Sequence, residues 1–341
     1  MRRGVRHNDM VRVLALVLAA ALLQAPQGTD STSQSFDEWR QELLEEARAR
    51  GYSERLIREV LASLEPLPRV IQNDRTQAEL VVGFDRYAGN RVTPLIVRRG
   101  RDAARRHATV LARVEEAYGV QRRFVLAIWG IETQYGRVTG NTPIFRALAT
   151  LAWEPRRADF FRRELFDALT MVSSGYADAK RMTGSWAGAM GHPQFMPSSY
   201  LKYAEDFDGD GRRDIWGPTP DMFASVANYL KQWGWNDEFT WGREVRLTPG
   251  VRARIDREIP TRTDGCFAMR NMTERIPLAD WQTLGVRRPD GAALPTVDVA
   301  AGLVHTDTRS FLVYPNYDVI LRYNCAHYYA LTVARLADQL R

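Results

Sequence analysis

The sequence lacks most of the residues and motifs on which metal, redox and nucleophilic enzymes depend. Only two cysteines and five histidines occur among 341 residues, and the histidines show no ligand spacing. A catalytic transition metal is therefore not expected. The patterns HExxH, CxxC, GxxxxGK[ST] and GxSxG are all absent, which argues against zinc proteases, dithiol oxidoreductases, P-loop proteins and α/β-hydrolases. We expect no organic cofactor.

The chain also lacks a long basic run, an internal repeat and an apolar run that would span a bilayer comfortably. Its formal charge is +6, but the first 25 residues contain four arginines and one aspartate, so +3 remains for the rest. Without a basic stripe, a nucleic-acid partner is not expected. The hydrophobic content of 45% and the charged content of 26% are typical of soluble globular proteins.

The first 25 residues predict a secretory signal peptide. Four arginines precede an apolar run at 13–23, and small residues follow near Ala25. The alternative is a short buried first helix. No cysteine lies near the expected cleavage site, so a lipid anchor is not predicted. We expect an exported protein without a stable membrane anchor.

The only two cysteines, Cys266 and Cys325, leave two alternatives open. In an oxidising compartment they could form one disulfide. They could equally be two buried free thiols. The choice depends on the distance between their Cα atoms, which spacing along the chain does not define.

Periodicity predicts an α+β protein that is mostly helical. Residues 96–118 read as one arginine-rich amphipathic helix with a solvated charged face, and residues 86–94 read as a connection. Alternating apolar residues with Pro, Gly and Asp punctuation predict short strands after residue 236. The predicted boundaries are 26–84 for a linker and helical segment, 85–236 for a helical core, 237–313 for a small β-rich subdomain, and 314–341 for a closing motif and helix that pack on the core.

Glu132 is the candidate catalytic residue. Phe124 and Ile128 lie on one face of a predicted helix, and Glu132 follows Ile128 by four residues. Gly136 is expected to end this helix, which places Glu132 in its last turn. Partial burial and the negative end of the helix dipole would both raise the pKa of Glu132, as a general acid acting on a glycosidic oxygen requires. The alternative is a structural glutamate that caps a loop or pairs with Arg137.

The glycine-rich segment 184–200 is the second candidate feature. Small and polar residues alternate there with aromatic residues. Small residues would let a polymer approach the backbone, aromatic rings would stack on sugars, and Ser or Gln would bind hydroxyl or acetamido groups. The alternative is a tight turn that packs helices. The candidate sugar-binding residues here are Ser185, Gln194, Phe195 and Met196.

The acidic loop that begins at residue 206 resembles the first half of a calcium loop, D-x-D-x-D-G. Position twelve is Gly217 instead of the usual glutamate, so a residue from the next helix would have to complete the shell. A turn rich in Asp and Gly is the alternative without metal. The candidate ligands of a structural Ca²⁺ are Asp206, Asp208, Asp210, Asp221 and the backbone carbonyl of Arg212.

Several ordered motifs together resemble the lytic murein transglycosylase B family, glycoside hydrolase family 103, over about residues 87–329. The resemblance implies a lysozyme-like core with an EF-hand-like loop at 85–236. It further implies cleavage of the MurNAc–GlcNAc β-1,4 bond with formation of 1,6-anhydroMurNAc ends. The motifs are GIET at 130–133, ALATL at 147–151, PRR at 155–157, the segments 184–200 and 206–214, SVANY at 225–229, and YPN and RYN at 314–316 and 322–324.

The resemblance also assigns roles to individual residues. Glu132 matches the glutamate that acts first as acid and then as base, while Arg156 and Arg157 match a pair near the peptide-bearing sugar. The dipeptide His192-Pro193 departs from the residues of some members, which puts the local turn in doubt. The residues that match the family's substrate groove are Tyr87, Ser185, Gln194, Tyr229, Tyr323, Asn324 and Tyr329.

The resemblance implies a periplasmic protein whose substrate is the glycan strands of peptidoglycan. We expect a monomer, and other cell-wall enzymes are further candidate partners. Two alternatives remain. A muramidase-type hydrolase would need a second carboxylate or a positioned water and would give reducing ends. A non-catalytic peptidoglycan-binding protein would bind the wall without cleaving it.

Overall fold

Helices make up most of the computed structural model, which describes residues 34–75 and 83–341. The predicted signal peptide lies outside the described residues. The helices are α1 (Phe36–Ala49), α2 (Glu54–Val60), α3 (Pro68–Arg75), α4 (Phe84–Arg91), α5 (Pro94–Arg106), α6 (Ala108–Tyr118), α7 (Arg122–Thr133), α8 (Ile144–Trp153), α9 (Ala158–Ser173), α10 (Pro197–Tyr203), α11 (Pro220–Gln232), α12 (Pro249–Glu258), α13 (Phe267–Arg270), α14 (Leu278–Thr283), α15 (Pro315–Tyr323) and α16 (His327–Gln339).

Capping residues set several of these helix starts. The side chain of Ser53 accepts a hydrogen bond from the Leu56 N–H at the start of α2. Three other helices begin with a threonine cap followed by proline at the first helical position, where the missing N–H of proline costs nothing. These caps are Thr93, Thr219 and Thr248.

Two details of the sequence prediction are wrong. The segment 96–118 is not one helix, because His107 leaves helical geometry between α5 and α6 and packs its ring on Trp129 and Phe223. The predicted connection at 86–94 is largely helix α4. Phe84 and Ala88 are buried one turn apart in α4, so tertiary packing stabilises a short helix that local periodicity does not reveal.

A four-stranded antiparallel sheet has the order β3 (Gly242–Val245), β6 (Ser310–Val313), β5 (Ala300–His305), β4 (Ile276–Pro277). A second pair joins β1 (Thr142–Pro143) to β2 (Thr183–Gly184). The segment 237–313 also contains α12, α13 and α14, which its composition did not predict. The mostly helical α+β class is confirmed.

The two faces of the four-stranded sheet pack into two different hydrophobic clusters. Val304 and Phe311 belong to the main core, whereas Leu303 and Leu312 belong to a smaller cluster around Trp281. This division follows from the alternation of side chains along a strand. The sheet therefore joins the segment 237–313 to the helical core through one of its own faces.

Helix α7 lies at the centre of the helical core. Residues 124–130 are all buried, and α7 contacts α5, α6, α11 and α16. A helix that is apolar on all sides is expected at such a position. No helix within the described residues combines the length and apolar character needed to cross a bilayer.

Cys266 and Cys325 form a disulfide, with their Cα atoms 6.3 Å apart. This resolves the alternatives left open by the sequence in favour of the bridge. The bond connects the start of α13 to the turn between α15 and α16.

Candidate active site

Glu132 is the penultimate residue of α7, so the prediction of a last-turn position is confirmed. The prediction that Gly136 terminates the helix is wrong by two residues. The helix ends at Thr133, and Gln134 is its left-handed cap. Gln134 and Tyr135 both have positive φ, which is uncommon for residues other than glycine. The strained turn is held in place because the Tyr135 ring packs edge-on against Trp129.

The carboxyl group of Glu132 is suited to hold a proton near neutral pH. Burial raises the pKa of Glu132 to about 7, although a hydrogen bond from the Tyr329 hydroxyl opposes this shift. That hydroxyl lies 2.5 Å from Oε1, while the residue keeps part of its surface exposed. Within the described chain no ion pair joins Glu132 to Arg137, which removes the structural alternative of that pairing.

Three tyrosines from distant parts of the chain surround Glu132. Burial and the negative charge of Glu132 raise the pKa of Tyr323 and Tyr329 well above the ordinary value. Burial and the same charge also raise the pKa of Tyr87, against the effect of Arg91. All three phenols therefore remain protonated and can donate hydrogen bonds at neutral pH.

A different set of rings, those of Tyr229, Tyr323 and Phe195, forms a connected aromatic wall. The Tyr323 and Tyr229 rings lie 4.8 Å apart, and Phe195 lies within 6 Å of both. The Tyr323 hydroxyl donates to the Pro193 carbonyl, and the Tyr229 hydroxyl donates to the Arg322 carbonyl. Phe195 is only 2% exposed, which corrects the expectation that it offers a ring to a sugar; instead it packs against the two tyrosine rings.

The glycine-rich segment is mostly buried and forms tight turns, as its structural alternative predicts. The Ser185 hydroxyl accepts from the Ala189 N–H, and the Gln194 amide donates to the carbonyls of Thr139 and Gly191. Gln194 also has a left-handed φ of 53°. Ser185 and Gln194 therefore stabilise the turn, and both remain partly exposed, as does Met196.

Other predicted groove residues lie in different surroundings. Arg156 and Arg157 both bind Asp74 at the end of α3, and the Arg157 guanidinium lies over the Phe161 ring. In the part of the chain that the structure describes, neither arginine forms a hydrogen bond or an ion pair with Glu132. Asn324 caps α15 and is exposed next to Tyr323.

His192 connects the glycine-rich segment to the end of α7, and sequence reasoning did not assign it a role. Its ring is stacked on Trp129, and the Trp129 indole N–H donates to Nδ1 over 3.1 Å. Its carbonyl accepts from the Thr133 hydroxyl. The absence of a side chain at Gly136 is required, since a Cβ there would lie 2.3 Å from the His192 ring. The only signal in the sequence was the departure at His192-Pro193.

We expect substitutions of Trp129 and His192 to have coupled effects on the free energy of unfolding, because the two rings share a hydrogen bond. His192→Phe keeps an aromatic ring but leaves the buried indole N–H without an acceptor, which costs about 1–3 kcal/mol. Trp129→Phe removes the donor, and the double variant removes both partners. In urea unfolding, the double variant should be more stable than the sum of the single changes predicts, by about 1 kcal/mol. Strict additivity would contradict the coupling.

The acidic loop brings four carboxylates together. One oxygen from each of Asp206, Asp208, Asp210 and Asp221 lies within 4.8 Å of the others. Asp221 is buried, and its carboxylate accepts from the backbone N–H groups of Phe207, Asp208 and Asp214. Burial raises the pKa of Asp221, the backbone hydrogen bonds lower it, and the charge of Asp208 raises it. Clustered carboxylates of this kind fit a hard divalent cation.

A helical core that places one protonatable glutamate at a helix end, beneath a wall of tyrosines, defines a lysozyme-like glycan-cleaving class of fold. More particularly, residues 35–338 match the family described as the transglycosylase SLT domain. The chain belongs to this family. The predicted lysozyme-like fold and the resemblance to lytic murein transglycosylases are thereby confirmed.

Individual relatives support the same assignment. The membrane-bound lytic murein transglycosylase B of Escherichia coli K12 is 33% identical over 300 residues, covering 84% of this chain and 78% of the relative. Pseudomonas aeruginosa SltB3, solved in complex with NAG-anhNAM-pentapeptide, is 40% identical with a TM-score of 0.81 and coverages of 90% and 80%. Escherichia coli Slt35, solved with calcium, is 30% identical with a TM-score of 0.74 and coverages of 88% and 92%.

Proposed function

We propose that this protein is a peptidoglycan lytic transglycosylase that cleaves the MurNAc–GlcNAc β-1,4 bond and leaves 1,6-anhydroMurNAc ends. The observation that carries the proposal is the buried carboxyl group of Glu132, which holds a proton near neutral pH. Among the described residues no second carboxylate contributes to the pKa of Glu132. The ligand in the SltB3 complex, NAG-anhNAM-pentapeptide, supports the same substrate class.

The proposed reaction uses one glutamate twice. Glu132 donates its proton to the glycosidic oxygen, and the bond from that oxygen to C1 of MurNAc breaks. The 2-acetamido oxygen bonds to C1 as the leaving oxygen departs, which gives an oxazolinium-like species. The Glu132 carboxylate then takes the proton of the C6 hydroxyl while O6 bonds to C1 and the bond from the acetamido oxygen to C1 breaks, which restores the acid and the acetamido group and consumes no water. Intramolecular attack benefits from proximity and requires no positioned water.

Tyrosine, amide and hydroxyl groups around Glu132 supply the proposed substrate contacts. Tyr329 orients the carboxyl group through its 2.5 Å hydrogen bond. Asn324 is exposed beside the tyrosine wall and can bind a sugar hydroxyl. Ser185 and Gln194 would orient the acetamido group with the atoms left free by their turn. Arg156 and Arg157 would bind the peptide-bearing sugar, with Asp74 holding them in place.

Product analysis tests the proposal against its alternatives. The protein would be incubated with purified peptidoglycan, and the soluble products examined by mass spectrometry. Products lighter than hydrolysis products by one water would support transglycosylation. Reducing-end products would instead favour a muramidase-type hydrolase. Binding to peptidoglycan without soluble products would favour a wall-binding protein.

We propose a structural Ca²⁺ in the acidic loop. The four clustered carboxylates and the predicted carbonyl of Arg212 would hold it, and Asp221 would close the shell in place of the missing glutamate at position twelve. A bound cation would offset the repulsion among these carboxylates. The Slt35 structure with calcium supports this assignment.

We further propose that the protein belongs to glycoside hydrolase family 103 and that it is exported to the periplasm as a monomer.

The pH dependence should follow Tyr329. Because the Tyr329 hydroxyl lowers the pKa of Glu132, Tyr329→Phe should raise that pKa. Activity requires Glu132 to be protonated at the start of the reaction. The pH at which activity is lost on the alkaline side should therefore rise by about one unit. Release of soluble peptidoglycan fragments would be measured from pH 5 to 9. Tyr328→Phe is the matched control, since that hydroxyl contacts Asp307 instead. An unchanged alkaline limb in Tyr329→Phe would contradict the proposed electrostatic role.

A further inference from the structure

A cavity of about 630 Å³ lies apart from Glu132, between helices α4, α5 and α16. It is within the size range of pockets that bind small molecules. Glu132 does not line it. Tyr87 and Tyr329 lie on α4 and α16, so the cavity shares two helices with the candidate active site.

Arginines dominate the polar lining of this cavity. Arg98, Arg101 and Arg105 project from α5 at spacings of three and four residues, which places them on one face of the helix. Arg335 faces them from α16. The three α5 arginines are exposed, as the predicted solvated face requires, and they also share a concave surface.

The positive charge of the cavity is incompletely balanced. Among the described residues, Asp85 is the only carboxylate in the cavity lining, and it also pairs with Arg309, which lies outside. Arg335 lies 3.6 Å from Asp85. Within the described chain, no hydrogen bond or ion pair occupies Arg98. A guanidinium group without a partner beside three others is suited to bind an oxyanion.

Polar contacts hold two of the lining arginines in position, and apolar residues complete the shape of the cavity. The Arg101 guanidinium donates two hydrogen bonds to the Gln339 carbonyl at the end of α16, which fixes its position. Arg105 is paired with Asp102 on its own helix. The apolar part of the lining consists of Ala88 on α4, Val92 just after it, and Pro94 and Val97 on the same face of α5 as the arginines.

We propose that this cavity is a binding site for a compact anion with two or more carboxylate or phosphate groups. Planar guanidinium groups bind both kinds of oxyanion through paired hydrogen bonds. A ligand here would contact α5 and α16 together. It would therefore stabilise the folded protein, and the site would operate independently of the proposed cleavage reaction.

Calorimetric titration of the full chain with citrate and with pyrophosphate tests the proposal. The salt concentration should be about 0.15 M, which screens non-specific attraction. At least one anion should bind, and the one that binds identifies carboxylate or phosphate as the preferred group. Arg98→Ala should weaken binding about tenfold, and Arg98→Lys should weaken it less, because it keeps the charge but loses the paired donors.

Arg106→Ala is the matched control, because Arg106 is exposed on the same helix but does not line the cavity. It should bind the anion as the wild type does. Equal weakening in Arg98→Ala and Arg106→Ala would show general charge attraction and would overturn the proposal. The absence of binding heat with either anion at about 1 mM would also overturn it. Melting curves of each variant establish that the fold is retained, which is expected because Arg98 makes no contact that the fold requires.

Discussion

Glu132→Gln should reduce the release of peptidoglycan fragments by a factor of about 10²–10⁴ or more, because it removes the group that we propose transfers the proton in both steps. The amide can still accept the hydrogen bond from Tyr329, so the fold should be intact. Soluble products would be measured at pH 6, where the wild-type acid is largely protonated. Retention of wild-type activity would refute the role assigned to Glu132.

Glu164→Gln is the matched control for this experiment. Glu164 is also a buried acid whose pKa is raised by burial, but its carboxylate accepts from the Ser198 N–H and hydroxyl at the start of α10. This variant should lose stability and keep most of its activity. A comparable activity loss in both variants would indicate that a buried acid matters for folding and not for proton transfer.

The same Glu132→Gln variant should become more stable than the wild type as the pH rises. In the folded protein the pKa of Glu132 is about 7, whereas in the unfolded chain it is about 4.3. Below the unfolded value both states are protonated, and the two proteins should be equally stable. Between the two values ionisation favours unfolding, and the penalty persists above pH 7. Denaturant unfolding at pH 8 should therefore favour the variant by about 1–3 kcal/mol, the range allowing for partial solvent contact.

Local patterns account for part of the candidate site. The position of Glu132 near the end of an apolar helix follows from the spacing of Phe124 and Ile128. The left-handed helix cap at Gln134 does not follow from local spacing. Gln134 and Tyr135 adopt a positive φ that their residue types disfavour, and the packing of the Tyr135 ring on Trp129 holds this conformation. Local sequence therefore predicts the helix better than it predicts its end.

Long-range contacts account for the rest. Tyr329 reaches Glu132 across 197 residues of sequence, and no local period connects them; only the family resemblance pointed to it. His192 gave no motif signal, although it joins Trp129 and Thr133 to the glycine-rich segment. Similarly, the α5 arginines read correctly as exposed, but their shared cavity depends on α16. Placement of helices against each other is the information that a single sequence lacks.

The acidic loop should make the thermal stability of the protein depend on calcium. A cation at 100 times its dissociation constant stabilises the folded state by about 2.7 kcal/mol. For a chain of this size, chelation should therefore lower the melting temperature by about 3–5 °C. The His192 N–H donates to the Ile215 carbonyl just beyond the loop, but the Glu132 side chain bonds to Tyr329 and not to a described residue of the loop. Chelation should therefore lower the melting temperature more than it alters the products formed.

Two substitutions separate the metal from the loop's own hydrogen bonds. The Asp221 carboxylate accepts three backbone N–H groups, so Asp221→Ala should lower the melting temperature with or without calcium. The Asp208 carboxylate accepts one weak bond from the Asp210 N–H at 3.3 Å, so Asp208→Asn should destabilise the protein only when calcium is present. Asp290→Asn, in a turn outside the loop, is the control and should show no calcium dependence of its effect. Because Asp208→Asn removes a ligand charge while leaving the turn nearly intact, an equal loss with calcium and with chelator would mean that the four carboxylates shape the loop without holding a metal.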